Sequence, residues 1–209
     1  MGHKVQVITC SPNHPTGQIY PGYRSGRYAV EVIDGITVHR IWTYITPNKG
    51  FIKKTIGHLT LWVSSRFLAL PRMEQPDVVI GTSPTFFAAM SAASAAERFR
   101  VPFIMEVRDL WPACFVDLGV IRNQRIIRLL ERWELSLYRR ANHIVTVTSA
   151  FKDDLVRRSI PSKKITSIPN GADEEFWVPQ KRSGFLNQAA GALGVSMFCI
   201  LVHMVSRRP

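Results

Sequence analysis

Five short runs rich in valine and isoleucine, Val5 to Thr9, Asp77 to Gly81, Val101 to Val107, His143 to Thr148 and Lys164 to Ile168, alternate with longer segments of helical apolar spacing. Each run has the length and β-branched content of a strand buried on both faces. Strands that alternate with helices specify an α/β fold, a parallel sheet covered by helices. The helical segments are Lys54 to Leu70, Pro84 to Arg100, Gln124 to Ala141 and Ala150 to Arg158. Thr82 or Ser83 is suited to cap the second, and Pro84 to its first turn, where a missing N–H costs nothing. The third carries Ile126, Ile127, Leu130, Trp133, Leu137 and Tyr138 on one face, with Arg125, Arg128, Arg132 and Arg139 largely off it.

Two segments break the rhythm. Ala29 to Arg40 reads as two alternating runs joined by Asp34-Gly35, a dipeptide suited to a tight hairpin turn, and is expected to decorate the sheet edge. Ser11 to Tyr23 is dense in Pro, Gly, Asn and Tyr. It follows a strand's carboxyl end, where open parallel sheets bind ligands.

The chain has 209 residues with 46% apolar composition, enough to bury the core of one domain. Its formal net charge of +12 favours an anionic partner: nucleic acid, lipid headgroups, or a sugar nucleotide or pyrophosphate. Nucleic acid is set aside because no recognition motif or aromatic-basic array accompanies the charge. Cys10, Cys114 and Cys199 are odd in number and widely spaced, which fits neither a disulfide framework nor a zinc site and points to a reducing, cytoplasmic compartment. No signal-peptide pattern and no long uninterrupted apolar stretch occurs.

Both ends depart from a self-sufficient nucleotide-type domain. Such domains open with strand, Gly-rich turn and helix, whereas this sequence begins within a residue or two of what reads as a second strand. The first βα unit is therefore expected to be missing. At the other end, a domain over residues 1–178 gives way at 179–209 to a Gly, Ala and Gln-rich linker, one apolar run from Val195 to Val205 and a basic stop, read as the aborted start of a second domain.

The segment EVRDLWPACF, Glu106 to Phe115, carries the most chemistry. It sets Glu106, Arg108, Asp109 and Trp111 at the carboxyl end of a buried strand. Sugars need this combination, because hydroxyls hydrogen-bond to carboxylates while the C–H face of the ring packs on an aromatic side chain. The plainer reading is an Arg108 ion pair with Asp109 or Glu106 and a structural Trp.

GHKVQVIT, PNHPTGQIYPGY, DVVIGTSPTFFAA, VPFIMEVRDLWP, HIVTVTSAFKDDL and IPNGAD follow one another in an order and spacing that resembles the amino-terminal domain of family 4 glycosyltransferases, over roughly residues 2 to 178. The nearest likeness is to the transferases of O-antigen, capsule and colanic acid assembly. The resemblance implies the Rossmann-like, acceptor-side half of a GT-B fold and a retaining transferase that needs no metal. Leaving-group charge is then met by side chains and helix amino-termini. Arg108-Asp109 occupies the place where many relatives carry a His-Asp pair, and because Arg cannot act as a base, Asp109 is the implied catalytic residue with Arg108 as its electrostatic partner. Glu106, Trp111, Thr82, Ser83, Tyr20 and Tyr23 are the implied acceptor-binding residues, although capping by Thr82 or Ser83 and rigid turn packing by the tyrosines are equally ordinary roles. Pro169, Asn170 and Gly171 read as the turn into an interdomain linker.

The implied partners are a nucleotide sugar, read by a carboxyl-terminal domain that the sequence lacks, and a polyprenyl-pyrophosphate-linked acceptor. Lys54 to Leu70 mixes Lys53, Lys54, His58 and Arg66 with Ile56, Trp62, Val63 and Phe67, a pattern that fits the anionic inner face of the plasma membrane as well as a plain sheet-covering helix. Two other readings stay open: a non-catalytic acceptor-binding fragment or subunit of a split transferase, and a sugar-nucleotide 2-epimerase of the same fold. The RDLWP segment argues against the epimerase.

Overall fold

The computed structural model describes residues 2–46, 51–83, 85–113, 116, 119 and 121–171. Pro84, Cys114, Cys199 and the carboxyl-terminal run from Val195 to Val205 lie outside the described residues. Residues 1–169 form one compact unit, which ends at Pro169; Asn170 begins a second unit, of which Asn170 and Gly171 are described.

The strands fall into two sheets. β1 (Gln6–Thr9), β3 (Ile36–Ile41) and β2 (Tyr28–Ile33) make the first, in that spatial order, with β1 parallel to β3 and β2 antiparallel to it. β4 (Val79–Thr82), β5 (Phe103–Val107), β6 (His143–Thr146) and β7 (Ile165–Ser167) make the second, parallel throughout. This is the α/β architecture expected from the strand–helix alternation, with the Rossmann-like arrangement that the resemblance implied.

The hairpin does more than decorate an edge. Asp34 and Gly35 both take positive φ, 50° and 80°, the paired left-handed conformation of the favoured two-residue hairpin turn. The turn folds β2 back onto β3, and β3 then lies beside β1 as the middle strand of the first sheet.

Helix α1 (Phe51–Ser64) runs into one wide turn of π-type over Ser65–Ala69 and a tight turn over Leu70–Arg72, where Pro71 ends it. The predicted helix to Leu70 is thus correct in place, but its last turn is not α-helical. Trp62 Nε1 donates to Ser94 Oγ at 3.1 Å, tying α1 to α2 (Phe86–Phe99). Helix α2 is built largely of Ala and Ser, and the short side chains let it lie close on β4. A Cβ added at Gly81 would stand 2.5 Å from the Ala92 methyl, so this position admits only glycine without a backbone shift. The cap of α2 is Thr85, not Thr82 or Ser83, and its side chain makes no capping hydrogen bond.

α3 (Gln124–Arg140) is capped by Asn123, whose Oδ1 accepts from the Arg125 and Ile126 N–H groups, and α4 (Ser149–Arg157) by Thr148, whose hydroxyl accepts from Phe151. The apolar face predicted for α3 is narrower than its sequence implied. Ile127, Leu137 and Tyr138 are buried, whereas Ile126 and Trp133 are exposed. Glu134 takes a place on the buried face. The main core joins Phe86, Ala89, Ala93, Phe103, Met105, Val107, Leu137, Tyr138, Ile144, Leu155 and Ile165, all on the helix-covered side of the second sheet.

That sheet is not buried on both faces, as its composition implied. Alternation along β4 points Gly81 at α2 and Ile80 the other way, and Ile80 is 62% exposed.

Candidate active site at the sheet edge

The carboxyl ends of β4 and β5 lie side by side, with Thr82 level with Glu106 in the ladder. Side chains level with one another on adjacent strands point to the same face, and Thr82 Oγ1 donates to Glu106 Oε2 at 2.8 Å. Glu106 Oε1 stands 3.4 Å from Arg108 Nε, a stretched ion pair with half-exposed partners. The structure therefore brings Thr82, at the end of β4, to Glu106, and it shows the Arg108–Glu106 ion pair that the sequence offered as the plainer reading.

Ser83 has a different job from the one predicted. It is buried, and its hydroxyl is engaged by the turn that follows β5: Oγ donates to the Asp109 carbonyl at 3.1 Å and accepts from the N–H groups of Arg108 at 3.0 Å and Asp109 at 3.4 Å. The Ser83 N–H in turn donates to the Glu106 carbonyl at 2.9 Å. One side chain thus fixes the backbone that carries Arg108 and Asp109, while Asp109 itself stays exposed.

Trp111 is half-buried and precedes Pro112 through a cis peptide bond. One face of its indole stacks on Phe86, with centroids 4.5 Å apart and planes 12° from parallel, and Phe86 lies 6.3 Å from Trp133 in a nearly parallel arrangement. The aromatic contacts anchor the turn to the start of α2 and to α3.

Tyr20 and Tyr23 form a second group, beside the first sheet. The Tyr20 hydroxyl donates to the His14 carbonyl, and the Tyr23 N–H donates to the Tyr20 carbonyl at 3.1 Å, so the loop after β1 is held by its own contacts. The Arg40 guanidinium sits over the Tyr23 ring at 4.8 Å, pairs with Glu31 and donates to the Cys10 carbonyl. Ser11, Tyr23, Arg24, Glu31 and Arg40 line an open cavity of about 620 Å³. Arg40 and Glu31 were not singled out from the sequence. They sit level-but-one on paired strands, and only the ladder register, which the sequence pattern does not print, brings them together.

Asn170 and Gly171, exposed, follow Pro169 directly after the compact unit closes. Among the described residues no cluster of three or more His, Cys, Asp or Glu side chains has the arrangement of a metal site, and no helix is long and apolar enough to cross a membrane.

Comparison with known proteins agrees with this architecture. The chain is 24% identical over 176 residues, 82% of its length, to an Escherichia coli (strain K12) protein whose name assigns it to glycosyl transfer in colanic acid biosynthesis, WcaI. It is 41% identical over 51 residues, 24% of its length, to the alpha-galactosylglucosyldiacylglycerol synthase of Streptococcus pneumoniae. It spans 43% of the length of the first relative and 14% of the second. Residues 1–171, which hold both sheets and every site described above, match the glycosyl transferase 4-like domain, and the chain belongs to that family.

Proposed function

We propose that this domain is the acceptor-binding half of a retaining glycosyltransferase that moves a sugar from a nucleotide sugar onto a lipid-linked acceptor during surface polysaccharide or glycolipid synthesis. The observation that carries the reading is the Thr82, Glu106, Arg108 and Asp109 group at the carboxyl ends of two adjacent parallel strands, the position at which open α/β sheets bind ligands. Asp109 is the catalytic carboxylate. Arg108 meets developing negative charge, and Glu106 and Thr82 receive acceptor hydroxyls. Trp111 and the cavity beside Tyr23 supply apolar and aromatic surface for further sugar rings. Because guanidinium and backbone N–H groups meet the charge, transfer proceeds without a metal ion.

The lipid-linked acceptor is supported by one face of α1. Ile56, Leu59, Val63 and Phe67 are exposed and recur at helical spacing, with Lys53 and Arg66 flanking the stripe. An apolar stripe edged by cations suits the surface of an anionic bilayer, and the name of the streptococcal relative specifies a glycolipid product. Flotation with phosphatidylglycerol vesicles that weakens in high salt is the expected result; binding indifferent to both lipid charge and salt excludes this placement.

Residues 1–209 alone bind acceptor without transferring sugar, since donor recognition belongs to the partner domain of a GT-B fold. The test is a transfer assay with UDP- and GDP-sugars and a polyprenyl-pyrophosphate-linked sugar acceptor, run on this chain and on a full-length parent with and without EDTA. Transfer by the parent, insensitive to EDTA and abolished by Asp109→Asn, supports the reading. Transfer by the short chain places the donor site within residues 1–209 and overturns it.

A further inference from the structure

β2 lies at an edge of the first sheet: it pairs with β3 on one side and, among the described residues, with no strand on the other. The Trp42 N–H donates to the Arg27 carbonyl at 3.1 Å, which sets the phase of the β2–β3 ladder. Arg27, Ala29, Glu31 and Ile33 therefore turn their backbone groups to β3, and Tyr28, Val30 and Val32 turn theirs outward. This edge lacks the usual protection. β7, at an edge of the second sheet, has three residues, follows Lys163 and Lys164 directly and is soon followed by Pro169. Short length, lysine and proline are devices that blunt a free edge. β2 has six residues, with no lysine and no proline. Its one charge, on Glu31, is taken by Arg40 of its own sheet, while Val30 and Val32 are 50% and 68% exposed.

The strand is also complementary to itself. Arg24 and Arg27 precede it and Asp34 follows it; all three are exposed, and none makes an ion pair among the described residues. Two copies laid antiparallel about a twofold axis through Val30 bring the cationic end of each to the acidic end of the other. In this register Val30 faces Val30 of the second copy and Tyr28 faces its Val32, and each pair exchanges hydrogen bonds between the outward backbone groups. Valine on valine and tyrosine on valine are cross-strand pairs of the kind that stabilise a sheet. Glu31 falls opposite Ala29 of the second copy, with Arg27 of that copy on the diagonal and on the same face. Moving the axis to Glu31 would set two carboxylates directly opposite each other, which is destabilising. Charge thus selects the register centred on Val30.

We propose that β2 is a homodimerisation strand: its free edge pairs antiparallel with the β2 edge of a second copy of this chain, about a twofold axis at Val30, and joins the two copies of the first sheet into one continuous sheet. The occupant is a second copy because the outward backbone groups, the apolar pairs and the end charges all find their complements in the same segment run in the opposite direction. The Thr82–Glu106 group belongs to the other sheet, so the paired edge does not include it.

The test is sedimentation equilibrium of the purified chain from micromolar to millimolar concentration, with amide hydrogen exchange read residue by residue by NMR over the same range. A monomer–dimer equilibrium is expected, and the Tyr28, Val30 and Val32 amides slow by about tenfold or more once dimer predominates, as closing a local opening does. Val30→Lys, with an unchanged far-UV spectrum, stays monomeric. In a Cys10→Ser, Cys114→Ser, Cys199→Ser background, Val30→Cys oxidises to a covalent dimer and Glu31→Cys does not, because only the residue on the axis meets itself at disulfide distance. The proposal is overturned if the chain remains monomeric at millimolar concentration, if a dimer forms without slowing the three amides, if Val30→Lys dimerises as the parent does, or if Glu31→Cys cross-links in preference to Val30→Cys. Should Val30→Lys fail to fold, the exchange and cross-linking results decide alone.

Discussion

Two carboxylate–arginine–hydroxyl groups stand in this molecule, built from the same chemistry and put to different use. In one, Glu134 of α3 is 3% exposed, accepts from the Tyr138 hydroxyl at 2.7 Å and pairs with Arg158 beyond the end of α4. In the other, Glu106 accepts from Thr82 and lies 3.4 Å from Arg108, with side chains 30% and 49% exposed. The buried set is closed. Burial pushes the Glu134 carboxyl above its usual range against the opposing pull of Arg158, and pushes the Tyr138 hydroxyl up as well. For Arg158 burial acts downward, but the hydrogen bond and charge of Glu134 outweigh it and leave the guanidinium more firmly protonated. The open set keeps a stretched ion pair and solvent contact, so an incoming hydroxyl can compete for it. Residue type does not separate a structural pair from a site; burial and the completeness of the hydrogen bonding do.

The sharpest way to break this contrast is to remove one arginine from each set. Arg158→Leu leaves a buried carboxylate without its partner and should cost about 3–5 kcal/mol in denaturant unfolding. Next in size, Asp109→Asn or Glu106→Gln in the full-length parent should lower kcat by about 10²–10³-fold, on the scale of losing an electrostatic contact to a developing charge. Their thermal unfolding should move little. Ser83→Ala should cost about 1–2 kcal/mol, because it takes the acceptor from two turn N–H groups, and it should lower kcat while acceptor binding changes less. Arg108→Leu should change stability by no more than about 1 kcal/mol, as exposed pairs do, yet impair transfer. An Arg108→Leu variant that unfolds as readily as Arg158→Leu would erase the distinction.

A pH titration sharpens it further. Glu134 is held above its ordinary value of 4.5 in the folded state, so the unfolded chain gives up this proton first. Its contribution to stability is therefore complete below about pH 4.5 and is lost as pH rises through the folded-state value. In Glu134→Gln that part of the slope should vanish from unfolding curves measured between pH 4 and 7.

The sequence made much of this legible, and its failures have identifiable causes. The strand–helix alternation located β1, β4, β5, β6 and β7 and the helices α1 to α4 within a few residues, since burial on a sheet or helix face imposes a period on the chain. The Asp34-Gly35 turn was equally readable because its dihedral angles demand those residue types. The place of β3 inside a sheet was not, because local pattern carries no pairing partner. Glu134 was missed for a related reason: a polar residue at a buried helical position reads as solvent-facing until Arg158, 24 residues on, is found beside it. Glu106 and Arg108 were named together, with their ion pair as one reading, whereas Thr82 was named apart from them and only the β4–β5 register brings it to Glu106. Ser83 was assigned to a ligand or a cap, when the turn's own N–H groups, invisible to side-chain reasoning, had the stronger claim on its hydroxyl.

The stacked rings of Trp111, Phe86 and Trp133 give the molecule an optical gauge of its own. Trp111 belongs to the turn that carries Arg108 and Asp109, whereas Trp133 rides on α3, and each indole lies nearly parallel to the Phe86 ring. A displacement of the turn on ligand arrival changes the surroundings of one indole while the other keeps its place on the helix. Emission that shifts in the native protein and in Trp133→Phe, but not in Trp111→Phe, would report occupancy of the sheet edge without any label.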